Sequence, residues 1–139
     1  MCVCAVRLVA RRLRVPTVSS LGRTAEVDVG TRLVVALESM GIEVGHRCGG
    51  KARCTTCRVT FEAGEPAKMT RAEVDKLRDS GLLGSTRLSC QILVDDDMAV
   101  TPLMTMETEG WTDPGPPPRA RIEPYPTWTT REAANETID

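Results

Sequence analysis

The stretch Cys48-Gly49-Gly50-Lys51-Ala52-Arg53-Cys54-Thr55-Thr56-Cys57-Arg58 puts three cysteines on one short loop. A fourth, Cys90, follows in Arg87-Leu88-Ser89-Cys90-Gln91, with thirty-two residues between it and Cys57. The pattern is C-x5-C-x2-C and then a distant C. Iron–sulfur ligands are thiolates, and two tetrahedral irons that share two sulfides need four of them. The spacing therefore predicts a [2Fe–2S] cluster on Cys48, Cys54, Cys57 and Cys90. Packing three ligands into ten residues requires the backbone to curl round the inorganic core. Gly49 and Gly50 are expected to supply it, because glycine accepts positive φ and close main-chain approach. Loop N–H groups, and the hydroxyls of Thr55 and Thr56, are expected to point at sulfur and stabilise negative charge there.

The loop resembles that of β-grasp [2Fe–2S] ferredoxins. Plant-type members have C-x4-C-x2-C. The extra residue here is similar to the adrenodoxin-like and iron–sulfur-assembly ferredoxins, and the wording CGGKARCTTCRV resembles bacterial domains with a CGGxGxC-TTC-RV run. The resemblance covers roughly residues 13–106. It implies an α+β, β-grasp ferredoxin-like fold: a mixed sheet, one main helix and a short second helix. It further implies that Cys48 and Cys54 hold the iron nearer the surface, and Cys57 and Cys90 the buried one. The activity it implies is one-electron transfer between a ferredoxin reductase and an acceptor oxidoreductase, with no catalytic residues of its own. The chain is expected to act as a carrier or as the electron-transfer subunit of a larger oxidoreductase.

Element order agrees with that fold without reference to the cysteines. Val15–Ser19 and Thr24–Val29 read as strands joined at Leu21-Gly22-Arg23, the second alternating Ala25, Val27 and Val29 against Thr24, Glu26 and Asp28, which marks a half-buried strand. Leu33, Leu37 and Met40 recur at helical spacing, so a helix is expected over Arg32–Met40, with Thr31 as N-cap and Gly41 as the left-handed stop. Arg58–Glu62 reads as a strand. Thr70-Arg71-Ala72-Glu73 reads as a capping box opening a helix to Asp79. Gln91–Val94 and Met98–Thr101 are expected strands, around an acidic turn at Asp95–Asp97. From Glu107 six prolines break regular structure, and 107–139 is expected to be a disordered or loosely attached tail. Its Trp111, Tyr125 and Trp128 are then free to dock on the domain or on a partner. The expected organisation is a basic extension over 1–12, a domain over 13–106 and the tail.

Composition narrows the function classes. Of 139 residues 41% are apolar and only 3% aromatic, which leaves little stacking surface for single-stranded nucleic acid. The net charge is −1, so the broad basic field of a nucleic-acid binder is lacking. Arginines interrupt the first fourteen residues, so no secretory apolar run is expected there, and no apolar stretch is long enough to span a membrane. A cytoplasmic monomer is expected, in which clustered cysteines bind metal rather than each other. Cys2 and Cys4 are expected to be free thiols. His46, beside Cys48, is either a donor near the cluster or a plain loop histidine. Two alternatives stay open: a structural zinc domain, which four cysteines also suit, and an iron or redox sensor that uses the tail as its signalling element.

Arg47, Lys51, Arg53 and Arg58 lie in the loop with no acid between them. Cations near a cluster favour its more negative, reduced form. They suggest a less negative potential and a partner with an acidic rim. The helix Thr70–Asp79 and the turn Asp95–Asp97 are further candidate docking surfaces, although the helix mixes Glu73, Asp75 and Asp79 with Arg71, Lys76 and Arg78.

Overall fold

The computed structural model describes residues 15–136. The arginine-rich start, with Cys2 and Cys4, lies outside them. Strands β1 (Thr17–Ser20), β2 (Arg23–Glu26), β3 (Arg58–Ala63), β5 (Arg87–Leu88) and β6 (Met98–Pro102) form one sheet in the order β2-β1-β6-β3-β5. β1 runs parallel to β6, with Val18 opposite Met98, and every other pairing is antiparallel. The sheet is therefore mixed, as the β-grasp expectation requires. Helix α1 (Leu33–Ser39) lays Leu33, Val34, Ala36 and Leu37 into a core shared with Val18, Val59, Leu88 and Val100.

The opening hairpin turns on Leu21 and Gly22, at φ 50° and 77°. Two left-handed residues in a row make the turn whose twist matches that of the strands. Leucine is poorly suited to that conformation, and its side chain is 58% exposed, so it gains little from packing.

Three local expectations are corrected. Thr31 does not cap α1. The N-cap is Arg32, in extended conformation with no side-chain capping bond. Instead, Gly30 N donates to Val94 O, Val94 N to Thr31 O and Leu33 N to Ile92 O, each at 2.8 Å. The chain entering α1 is thus paired to the chain leaving Cys90, and a carbonyl from that chain takes a free N–H of the helix. For the same reason Gln91–Val94 is not a sheet strand. It is a 3-10 turn (Ser89–Gln91) followed by a single bridge between Leu93 and Arg32.

The capping box is only half formed. In α2 (Arg71–Asp79) the Thr70 hydroxyl accepts from Glu73 N at 3.1 Å. The Glu73 carboxylate turns inward instead, to Arg87 Nε at 2.7 Å, Arg87 Nη2 at 3.1 Å and Leu88 N at 2.9 Å. Glu73 is fully buried. Burial pushes its carboxyl up, and the Arg87 guanidinium opposes that shift. The pair fastens α2 to β5, the strand that leads into Cys90.

The largest departure concerns the tail. After α3 (Met106–Glu109), the segment 110–127 has no helix or strand, as its prolines dictate, yet it is held to the domain at several points. His46 N donates to Pro114 O at 2.8 Å, and Gln91 Nε2 to Glu123 O at 2.9 Å. Ile122 is buried. β7 (Trp128–Thr130) pairs with β4 (Lys68–Thr70), and Ala134 of α4 (Arg131–Glu136) reaches the core. Of the three aromatic residues, Trp111 packs under Arg47 at 4.3 Å and Trp128 lies beside Lys68, while Tyr125 is 90% exposed. Proline excludes repetitive structure but not packing, which is why composition alone suggested a loose segment.

Two stability outcomes are expected. Leu21→Asn, which tolerates the left-handed conformation, is expected to gain about 0.5–1 kcal/mol, read as a higher urea midpoint at unchanged slope. Glu73→Gln removes the buried anion of Arg87, leaving only the part-exposed Glu65 carboxylate at 3.3 Å, and is expected to cost roughly 3 kcal/mol. A Glu73→Met/Arg87→Met double variant should recover most of that loss; equal losses in both would contradict the pairing.

Candidate metal centre

The site lies between three pieces of chain. One is the loop from Gly45 to Cys57, the second the 3-10 turn that carries Cys90, and the third the C-terminal segment. The loop is anchored at its start by Gly45 N donating to Met104 O (3.0 Å) and by a bridge between Val44 and Thr105. At its end Ser89 holds Cys57 O through both its hydroxyl (2.7 Å) and its N–H (3.2 Å). Cys57 and Cys90 are thereby tied across the sheet by a neighbour of one and the carbonyl of the other.

Within the loop, Gly49 and Gly50 take φ of 73° and 78°, as expected, and so does Ala52, at 58°. The third left-handed residue was not legible, because alanine carries no signal for it. The curl aims main-chain N–H groups inward. Cys48 sulfur receives Lys51 N at 3.2 Å, with the N–H groups of Arg53 and Cys54 also directed at it. Ala52 N–H reaches across to the Cys90 sulfur, which also receives Gln91 Nε2 at 3.6 Å. The Thr56 hydroxyl accepts from Arg47 N (3.1 Å) and lies 3.2 Å from Cys54 Sγ. Of the two loop threonines, Thr56 is thus the one whose hydroxyl meets a sulfur.

The four sulfurs fall into two hydrogen-bonded pairs, Cys48 with Cys54 and Cys57 with Cys90. All four are free cysteines. The first pair is half-buried and the second fully buried. In each pair one thiol keeps the proton and relieves the other. A hydrogen bond from Cys54 brings Cys48 down to about 4 against the opposing effect of burial, while Cys54 itself is raised. Likewise Cys90 is lowered by Cys57, and Cys57, wholly buried, is raised. Among the described residues no three His, Cys, Asp or Glu side chains gather round one point as a single ion would need. The two-by-two grouping suits two metals with two thiolates each.

The neighbours sort differently from the sequence expectation. Arg47, Lys51 and Arg53 are exposed around the half-buried pair. Arg58 is not part of that rim; it turns to Met104, with Nη2 at 3.0 Å from the thioether. His46 is buried and ion-paired to Glu38 of α1. Burial opposes its protonation, but the carboxylate outweighs this and raises its pKa. It is thus a structural link between loop and helix, and contacts no cysteine sulfur among the described hydrogen bonds. Sequence reasoning missed Arg32, which helical spacing placed on an ordinary helix start.

No helix among the described residues is long and apolar enough to cross a membrane. Residues 16–95 match the model of the 2Fe-2S iron-sulfur cluster binding domain. A subunit of the Na(+)-translocating NADH-quinone reductase of Chlamydia pneumoniae is 40% identical over 79 residues, which is 55% of this chain and 18% of that protein. Its counterpart from Idiomarina loihiensis is 38% identical over 71 residues, 51% of this chain and 17% of that protein. The chain thus spans under a fifth of those curated relatives. Among solved structures, the ISC-like [2Fe-2S] ferredoxin of Pseudomonas putida superposes with a TM-score of 0.53 at 32% identity, covering 62% of this chain and 90% of that one. With the family model covering more than half of the chain, and the fold matching, the chain belongs to the [2Fe–2S] ferredoxin family.

Proposed function

We propose that Cys48, Cys54, Cys57 and Cys90 are the four ligands of the [2Fe–2S] cluster, the first two on the surface side and the last two on the core side. The observation that carries this is the grouping of the sulfurs into one half-exposed and one buried pair, each supplied with N–H donors. When bound, the cluster supplies a single one-electron redox centre. The chain's own contribution is to hold the thiolates, bond them with N–H groups, exclude water on the Cys57–Cys90 side and leave the Cys48–Cys54 side open to approach.

A [2Fe–2S] ferredoxin is an electron carrier. Its partners are a flavin-bearing reductase and an acceptor oxidoreductase, by analogy with the family, and clustered metal-binding thiolates suit a reducing cytoplasm. The partner-facing surface is the rim of Arg47, Lys51 and Arg53 around the open pair. A unit charge in water about 10 Å from the centre is worth about 0.4 kcal/mol, roughly a twofold effect on the ratio of reduced to oxidised protein. Exposed cations therefore act mainly on encounter with a partner, steering an acidic rim toward the loop.

Anaerobic reconstitution with iron and sulfide is expected to yield two irons and two sulfides per chain, reddish-brown colour and a rhombic EPR signal on reduction. Each single Cys→Ser variant at the four positions should lose most of that signal, and a colourless protein holding one zinc would overturn the assignment. Steering is checked with charged small oxidants. Lys51→Gln/Arg53→Gln is expected to slow oxidation by ferricyanide severalfold at low salt and to speed oxidation by cobalt hexaammine, the two rates converging with wild type at high salt.

A further inference from the structure

Arg32 is fully buried, at 0% exposure. A guanidinium keeps its charge in proteins, and a buried charge is costly unless an opposite charge or a full set of hydrogen bonds offsets it. Among the described residues its donors go only to carbonyls. Nε donates to Cys90 O at 3.0 Å, and Nη2 to Cys90 O at 2.6 Å and Gly50 O at 2.5 Å. Nη1 donates to Arg119 O at 2.8 Å and Arg121 O at 3.2 Å. Among the described residues no carboxylate is ion-paired with it. The contrast with Arg87, buried in the same domain but matched by Glu73, is direct.

The surroundings are shaped to this side chain. A Cβ on Gly50 would lie 2.7 Å from Arg32 Nη2 and 2.8 Å from Pro118 Cβ, so loop, guanidinium and C-terminal segment meet with no room to spare. Every carbonyl that Arg32 holds belongs to the cysteine loop, to the fourth cysteine itself or to residues 119 and 121. Its bonds to the Cys90 and Gly50 carbonyls seat the guanidinium against the main chain of the candidate cysteine cradle, with no carboxylate among the described residues ion-paired to it.

Resting on the assignment of the four cysteines above, we propose that Arg32 is the internal counter-cation of the cluster. The same guanidinium makes the C-terminal segment 119–123 a strap whose hold on the domain depends on whether the cluster is in place. Because Arg32 is shielded from water, its charge acts on the centre far more strongly than the exposed Lys51 and Arg53 do. It favours the more negative, reduced state. Without the cluster, the cysteine loop and the Cys90 turn are no longer pinned, so the Gly50 and Cys90 carbonyls that seat the guanidinium are free to shift and its bonds to 119 and 121 lose their fixed geometry. Arg32 is a positioning and charge-balancing residue, not a ligand.

The test compares wild type, Arg32→Lys and Arg32→Gln as full-length protein. At a fixed applied potential the ratio of reduced to oxidised cluster, read by EPR, is expected to fall about tenfold in Arg32→Gln, equivalent to 59 mV for one electron. Arg32→Lys, which keeps the charge but not the fork, should stay within threefold of wild type. A purely structural role would move both variants alike, and a fall of less than threefold in Arg32→Gln, or equal falls in the two, would overturn the proposal. A second measurement needs no variant. Hydrogen exchange of the wild-type segment 119–123 is expected to be slower with the cluster than in the apo protein. Equal exchange in the two forms would overturn the strap, and an Arg32→Lys variant that keeps the charge yet holds no cluster would overturn the counter-cation role. Wild type that assembles no [2Fe–2S] cluster refutes the ligand assignment itself, an outcome distinct from each of these.

Discussion

Four cysteine sulfurs gathered in one place can carry negative charge only if the fold offsets it, and the whole candidate centre depends on that compensation. Here most of it comes from the main chain. Left-handed residues at Gly49, Gly50 and Ala52 turn the loop so that its N–H groups face inward, onto Cys48 and across to Cys90. The remainder comes from side chains fixed by the fold: the Thr56 hydroxyl, the Gln91 amide and the buried Arg32. A loop that merely spaced the cysteines correctly, without this curl, would leave their thiolate forms without N–H donors to offset the charge.

The rest of the domain can be understood as support for that arrangement. The sheet sets the distance between Cys57, at the mouth of β3, and Cys90, just after β5. Ser89 ties the two by bonding the Cys57 carbonyl twice. The buried Glu73–Arg87 pair then holds β5 against α2, so that the fourth cysteine is carried on a braced strand. The chain on either side of Arg32 pairs with the chain after Cys90. Opening α1 from its place would thus disturb both the core and the cysteine turn together.

Charge is divided by exposure. Arg47, Lys51 and Arg53 stand in solvent, where salt screens them and their effect is on approach. Arg32 and Arg87 are buried, yet they differ in what balances them: a carboxylate for Arg87, and only carbonyl dipoles for Arg32. Each placement depends on which face of the backbone a residue lands on. In sequence all five are simply basic residues, with nothing beside them to separate the buried from the exposed.

What could be read directly from the chain was local or chemically obligatory. Cysteine is the candidate ligand type, glycine marks the curl, alternation marks β3, and the apolar spacing of Leu33, Leu37 and Met40 marks α1, whereas the alternation expected over Thr24–Val29 ends with β2 at Glu26 and leaves Val29 exposed. These signals come from neighbours in sequence, so the mixed-sheet fold and the candidate cysteines were both within reach. Thr31 as a cap, the reciprocal half of the Thr70 capping box and the strand at Gln91–Val94 failed for a shared reason. A distant segment offered the same backbone or side chain a better partner: Val94 for Thr31, Arg87 for Glu73, the entry to α1 for Leu93. The attachment of the proline-rich segment and the inward turn of Arg32 were likewise decided only by tertiary structure. Carbonyl acceptors and buried cavities leave no mark on residue type, because every residue carries a carbonyl and only folding determines which of them an arginine will meet.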